Sequence, residues 1–367
     1  MENVSVIGIG KLGLCFALSV EKAGYNVLGL DINPSYIQEI NEKTLSSSEP
    51  NVENYLSKSK NFKATTSLSE IVGFSDILFV VVATPSLPNG RYDHSQVDDL
   101  ITKLEGVGRS STQKHFIVCC TTMPGYCDSI KDKLNVLNYT VSYNPEFIAQ
   151  GTILRDQAYP DMVLIGEANS EVGQIIEDIY VKHTLNEPII CRMTPLEAEI
   201  TKLSLNCFLT TKIAYTNMVG DIVHKSGGRP DVVLSAIGSD SRIGSKYLRY
   251  GYGYGGPCFP RDNRALAIYA KDIELPAKIS QATDESNALH LVYQVETFKN
   301  TKNTEKTVFF ETVTYKPEST LLVESQQLKF AVALAKEGYS VKIRESKSVV
   351  EELKNKYGDL FIYEQRD

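Results

Sequence analysis

Residues 4–13 read VSVIGIGKLG, and residues 14–31 continue LCFALSVEKAGYNVLGLD. Val4–Gly8 is a short apolar run leading into Gly8-Ile9-Gly10-Lys11-Leu12-Gly13. An apolar helical pattern then reaches Ala23, Gly24 stops it, and a second run, Asn26–Leu30, ends in Asp31. Strand, G-x-G-x-x-G turn, helix, strand and acidic residue stand in the order and spacing that a dinucleotide site requires. The glycines permit a tight turn and let a pyrophosphate reach the helix N-terminus, whose N–H groups and dipole favour an anion. Gly8, Gly10, Lys11, Leu12, Gly13 and Asp31 are therefore candidate cofactor contacts, with the Asp31 carboxylate on the ribose hydroxyls. No Arg follows closely, and a carboxylate there would repel a 2′-phosphate, which points to NAD over NADP.

Further apolar runs at Asp76–Ala83, Phe116–Cys120, Thr140–Tyr143, Met162–Gly166 and Pro188–Cys191 alternate with amphipathic segments. That alternation predicts an α/β fold with a Rossmann-type, doubly wound and mainly parallel sheet. Ligands of such sheets bind at the carboxyl ends of the strands. The loops Thr84-Pro85, Thr121–Gly125 and Asn144-Pro145-Glu146-Phe147 should thus line the same cleft as the glycine turn. For Thr84 and Thr121, turn or cap chemistry is an equal alternative to ligand contact; Glu146, just past a strand, is the more pointed candidate.

The chain has 367 residues, 42% hydrophobic and 23% charged, enough for two or three domains with large cores. A net charge of −7 argues against a general nucleic-acid or anionic-membrane surface, although a local basic pocket stays open. The longest apolar run, Ile77–Ala83, is too short to cross a bilayer. The N-terminus has no basic segment or cleavage signature and reads as a first strand, so a cytoplasmic protein is expected. Seven cysteines, with no C-x-x-C pair and no clustering of the five histidines, indicate neither a metal site nor a disulfide framework.

Thr194-Pro195-Leu196-Glu197 is a capping box with Pro at the first helical position, and no breaker follows until Ser226-Gly227-Gly228. A helix of about thirty residues would span roughly 45 Å, enough for a domain bridge or a dimer seam. Glu199, Lys202 and Asn206 share one of its faces, either as a solvated stripe or as part of a site. Residues 247–262 read YLRYGYGYGGPCFPRD, a loop whose glycines and prolines deliver Cys258 into a rigid, ligand-shaped turn, with a surface loop holding a half-buried structural thiol as the alternative. Lys299–Lys306 reads as a polar linker. Beyond it, strands are predicted at Thr307–Tyr315 and Val341–Arg344, with a helix from about Ser325 to Glu337 between them. The domains drawn from this are 1–193, the dinucleotide unit; 194–298, a central helical unit with the long helix and the Cys258 loop; and 299–367, a smaller, divergent α/β unit.

An NAD site together with a thiol in such a loop suggests oxidation at the aldehyde level, through a thiohemiacetal and a thioester. A Lys and an Asn would stabilise the oxyanion, and carboxylates would handle protons and water. A Cys-His hydrolase competes, but none of His94, His115, His183, His224 or His290 lies in the motif-bearing loops.

These motifs, together with Arg242-Ile243-Gly244, Gly255-Gly256-Pro257-Cys258-Phe259-Pro260-Arg261-Asp262 and Tyr315-Lys316-Pro317, resemble the UDP-glucose/GDP-mannose dehydrogenase family from Gly8 to about Arg344. The resemblance implies oxidation of a nucleotide sugar at C6 to the acid, with UDP-glucose the expected substrate and two NAD and one water consumed. It implies that Cys258 is the nucleophile, that Lys202 and Asn206 stabilise the alkoxide or oxyanion, and that Asp262 and Thr121 position water. Glu146 would act in proton transfer. Tyr247, Leu248, Arg249, Tyr250, Gly251 and Gly255 would hold the nucleotide sugar with Phe147, Ile148 and Lys316. Thr84, Thr121, Gln150 and Arg261 would add cofactor contacts. Arg242 would cross to the substrate of a second subunit, which implies a homodimer. Departures from the family pattern are Gln150 for a Glu, Val323 for an Arg, Tyr36 for a basic residue near Asp31, Met218 after Asn217, and Thr320-Leu321 for an acidic pair. They imply altered cofactor binding before loss of the thiol chemistry.

Overall fold

The computed structural model describes residues 2–148, 151–300, 306–317 and 319–366. Gln150, expected at the cofactor, lies outside them. The run ahead of the glycine turn forms β1 (Asn3–Ile7), buried from Val4 onward, as expected of a parallel strand covered on both faces. β2 (Asn26–Leu30), β3 (Phe62–Thr65), β4 (Ile77–Val80), β5 (Lys114–Val118), β6 (Tyr139–Tyr143), β7 (Met162–Gly166) and β8 (Ile189–Met193) complete the sheet, in the order β3-β2-β1-β4-β5-β6-β7-β8. All pairs are parallel except β6 with β7, which meet at Tyr143 and Gly166. The strand order reverses between β1 and β4, which places the ligand crevice of an open sheet at their carboxyl ends.

Alternate residues of one strand feed two different cores. Leu78 and Val80 of β4, with Phe116 and Val118 of β5, pack on one face; Phe79 and Ile117 pack on the other with Leu14, Phe16 and Leu18. This period of two is what a doubly wound sheet demands of its strands. β3 is absent from the sequence reading, because four residues with alternating exposure at a sheet edge give little periodic signal.

The chain divides into two compact units, Met1–Lys202 and Leu203–Asp367. The helix Pro195–Lys225 runs 31 residues. Its capping box is formed: Thr194 N and Oγ1 donate to Glu197 Oε2 at 2.8 and 2.7 Å. The second unit adds helices Pro230–Gly238, Phe259–Asp272 and Lys278–Asn300, then β9 (Thr307–Phe310), helix Gln326–Lys336, β10 (Ser340–Glu345), helix Lys347–Tyr357 and β11 (Ile362–Gln365). Its three strands are parallel in the order β11-β10-β9. β9 ends five residues before the expected Tyr315, β11 is a strand the sequence reading lacks, and the helix Lys278–Asn300 takes in the first two residues of the expected linker, of which 301–305 lie outside the described residues. Val295 of that helix shares one core with Phe310, Leu328 and Ile343. Among the described residues, no helix is long and apolar enough to cross a membrane.

Candidate active site

In the first unit the glycine turn has the shape of a pyrophosphate cradle. Gly8 has φ +88°, and its N–H donates to Leu30 O at 2.8 Å, joining β1 to the end of β2. A Cβ on Gly13 would lie 2.1 Å from the Gly8 carbonyl oxygen, so only glycine permits the helix Lys11–Lys22 to pack so close to the turn. Gly10 is that helix's N-cap with no side-chain cap, and a Cβ there would meet nothing within 4 Å. Uncapped N–H groups and open space above them are what an approaching phosphate needs, so the residues fit a dinucleotide. Lys11 is exposed beside the turn, and Leu12 is half-buried. Asp31 ends β2 half-exposed and accepts from Asn33 N at 3.1 Å. Tyr36, which stands where a basic residue was expected, donates its hydroxyl to Ile9 O at 2.9 Å and so braces the turn.

The loops after β4, β5 and β6 carry the other first-unit candidates. Thr84 is buried and donates Oγ1 to Thr121 O at 2.8 Å, which ties two of these loops together. Asn144 fixes the β6 loop by donating Nδ2 to Leu164 O at 2.9 Å. The Tyr180 hydroxyl lies 2.9 Å from Asn144 Oδ1 and 3.3 Å from Glu146 Oε1. Removal from water pushes the Glu146 carboxyl up to about 7, while the Tyr180 hydroxyl and the Lys202 charge oppose that rise without cancelling it. Lys202 is buried; its Nζ donates to the Glu146 carbonyl oxygen at 2.6 Å and sits 4.4 Å from the centre of the Phe147 ring. Ile148 packs on the core that holds Leu14, Phe16 and Phe79.

Glu199, one turn before Lys202, has a different task. It is fully buried and accepts from Thr122 Oγ1 (3.0 Å), Gly125 N (2.6 Å) and Cys127 N (2.9 Å). Its carboxylate thereby caps the helix Tyr126–Val136, so it secures the loop that carries Thr121.

In the second unit, Cys258 is the N-cap of helix Phe259–Asp272, with Pro260 in the first turn. Of the seven cysteines, five are buried, Cys191 is half-buried and Cys258 is exposed. Burial pushes Cys15 and Cys207 up to about 12 and raises Cys119 and Cys127 well above the ordinary range, which keeps those thiols protonated and inert. Asp262, one turn into the Cys258 helix, is 1% exposed and accepts from Asn206 Nδ2 at 2.6 Å. Arg261 Nε lies 3.7 Å from the other Asp262 oxygen. The glycines ahead of the thiol are close-approach positions: a Cβ on Gly255 would lie 2.3 Å from Glu324 O, and one on Gly256 would lie 2.5 Å from the Tyr315 ring. Lys316 Nζ is 5.8 Å from the centre of that same ring.

Tyr247 is exposed at φ +65°, Arg249 is exposed, and Leu248 and Tyr250 are half-buried. Arg242 points away from its own unit, 86% exposed by side chain, and is paired with Asp240 at 2.7 Å. Sequence reasoning missed Tyr180, Asn287 and His290 as site residues, and met Tyr36 and Asn217 only as positions of the family pattern. Asn287, His290 and Gln294 do stand at i, i+3 and i+7, a spacing that could have marked a shared face.

Residues 2–184 match the UDP-glucose/GDP-mannose dehydrogenase family, NAD binding domain, and residues 196–289 match that family's central domain. The chain belongs to this family. NAD is accordingly the cofactor of its N-terminal domain. Among family members, UDP-glucose 6-dehydrogenase of Rickettsia bellii is 31% identical over 291 residues, which cover 78% of this chain and 66% of that protein. The chain thus spans just under two thirds of that relative. GDP-mannose 6-dehydrogenase of Pseudomonas aeruginosa is 28% identical over 357 residues, covering 93% of this chain and 80% of that one. The solved UDP-glucose dehydrogenase of Pyrobaculum islandicum superposes with a TM-score of 0.88 at 27% identity, covering all of this chain and 86% of that one.

Proposed function

We propose that this family member oxidises the C6 alcohol of a nucleotide sugar, UDP-glucose first, to the carboxylic acid. The observation that carries the reading is the exposed Cys258 at a helix N-terminus, with the buried Asn206–Asp262 pair one turn behind it. A helix N-terminus favours thiolate over thiol, and a thiolate adds readily to an aldehyde. Bound NAD supplies the hydride acceptor for both oxidations.

The alcohol first loses a proton and a hydride to give the aldehyde. Cys258 Sγ then adds to that carbonyl carbon, and the resulting thiohemiacetal loses a second proton and hydride to become a thioester. Water adds, the C–S bond breaks, and the acid leaves with the thiolate restored. One alcohol, two NAD and one water thus give one acid, two NADH and two protons. Lys202 and Asn206 would stabilise the alkoxide and oxyanions, and Asp262 and Thr121 would position water. Glu146 would take the proton from that water, for which a carboxyl titrating near 7 is suited. A base must be deprotonated to act, so the hydrolysis rate should rise with pH through about 7. Glu146→Gln should remove that limb from a kcat–pH profile; an unchanged limb would assign it to another group.

The same chemistry on GDP-mannose is the second reading, favoured by the longer span of the Pseudomonas match. NADH formation across a panel of nucleotide sugars separates the two, and silence on every member would leave a binding protein instead. The remaining finer assignments are proposals as well. We keep the second unit divided at residues 298/299 into a helical part and an α/β part with its own three-stranded sheet. A homodimer is supported by Phe208, Tyr215 and Ile222, exposed at seven-residue intervals on the long helix, and by the outward Arg242. A cytoplasmic location is supported by seven cysteines without a disulfide among them.

A further inference from the structure

The backbone of the loop from Tyr250 to Tyr254 rests on buried polar side chains of two helices in the second unit. Asn217 accepts from Gly251 N and donates to Tyr252 O, both at 3.2 Å. Asn287 accepts from Tyr254 N at 2.9 Å and donates to Tyr254 O at 3.0 Å. Between these clamps lies His290, 2% exposed, with Nδ1 2.8 Å from the Asp221 carboxylate and Nε2 2.6 Å from the Gly251 carbonyl oxygen. The ring thus bridges the long helix and the loop backbone.

The groups facing this ring from each packed element are few. Asp221, on the long helix, also accepts from the Tyr250 hydroxyl at 2.7 Å. The Tyr250 ring, from the loop, meets the imidazole edge-on at 5.6 Å. On His290's own helix, Tyr293 bonds His224 at 2.7 Å, and Gln294 donates to Gly251 O at 3.1 Å. The carboxylate in this set is that of Asp221.

We propose that His290 is a positioning residue: bridging Asp221 and the Gly251 carbonyl, it holds that carbonyl, and with it the Tyr247–Gly251 segment, in the conformation that binds the nucleotide sugar. This rests on the functional reading above. Without the ring the carbonyl keeps the Gln294 donor at 3.1 Å but loses its shorter partner at 2.6 Å, and the tie from the loop to Asp221 on the long helix is cut. Nucleotide-sugar affinity should therefore fall when the ring is removed.

Two measurements on the full chain test this. Amide exchange at residues 251–254 should be faster in His290→Ala than in wild type, with exchange in β1 and β4 unchanged. Calorimetric titration with UDP-glucose, without cofactor and so without turnover, should give a Kd about tenfold higher in His290→Ala, and His290→Gln, whose amide can still donate to the Gly251 carbonyl, should recover part of the loss. Equal exchange at residues 251–254 and equal Kd in wild type and His290→Ala overturn the proposal. If no nucleotide sugar binds the wild-type protein, the functional reading fails instead, while the amide exchange still decides the role of the ring.

Discussion

Replacing Cys258 with Ser is expected to lower acid formation on the order of 10⁴-fold, the scale at which removal of a covalent nucleophile acts. A serine hydroxyl stays protonated at neutral pH, so neither the thiohemiacetal nor the thioester can form at a useful rate. Fold stability should not follow. Cys258 is exposed and its side chain does not cap the helix it precedes, a position where serine is a better cap than cysteine. The check is to quantify the sugar acid by mass spectrometry alongside the thermal unfolding of both proteins. An unchanged Tm with acid formation lost assigns the thiol to chemistry; acid formation within tenfold of wild type removes it from the mechanism.

The second large effect separates two glycines three residues apart. Gly13→Ala places a methyl 2.1 Å from Gly8 O and 3.4 Å from the Val81 side chain, in contact with backbone that cannot give way cheaply. Overpacking of this kind costs about 3 kcal/mol, or roughly 10 °C in Tm for a unit of this size, and NAD binding should weaken at least about a hundredfold as the turn shifts. Gly10→Ala should behave differently. Its φ of −62° suits alanine and the space around it is open, so Tm should hold. Its methyl enters the side from which the pyrophosphate must approach, so NAD affinity alone should fall. Normal NAD binding by Gly10→Ala would move the cofactor away from the turn.

What could be read ahead of the structure follows from how local each signal is. The glycine turn, β1 and Asp31 are legible because every requirement of that motif lies within thirty residues. The long helix is legible from a capping box and an unbroken stretch to Ser226. Glu199 is the instructive contrast. Its helical face is correctly placed by spacing, but that it closes the helix Tyr126–Val136 depends on a contact across 72 residues to Cys127 N. Tyr180 reaches Glu146 across 34 residues, and His290 reaches Gly251 across 39. A polar residue on a helix reads as solvated until the loop lying on it is known. β3 and β11, four residues each, are too short for periodicity to declare them.

The central claim is that one protein carries a nucleotide sugar through two oxidations on a single thiol. Its most direct measurement counts NADH formed against UDP-glucose consumed, in water enriched in ¹⁸O. The account predicts two NADH per sugar and one labelled oxygen in the carboxylate, both lost in Cys258→Ser. One NADH per sugar with free aldehyde as product would contradict it.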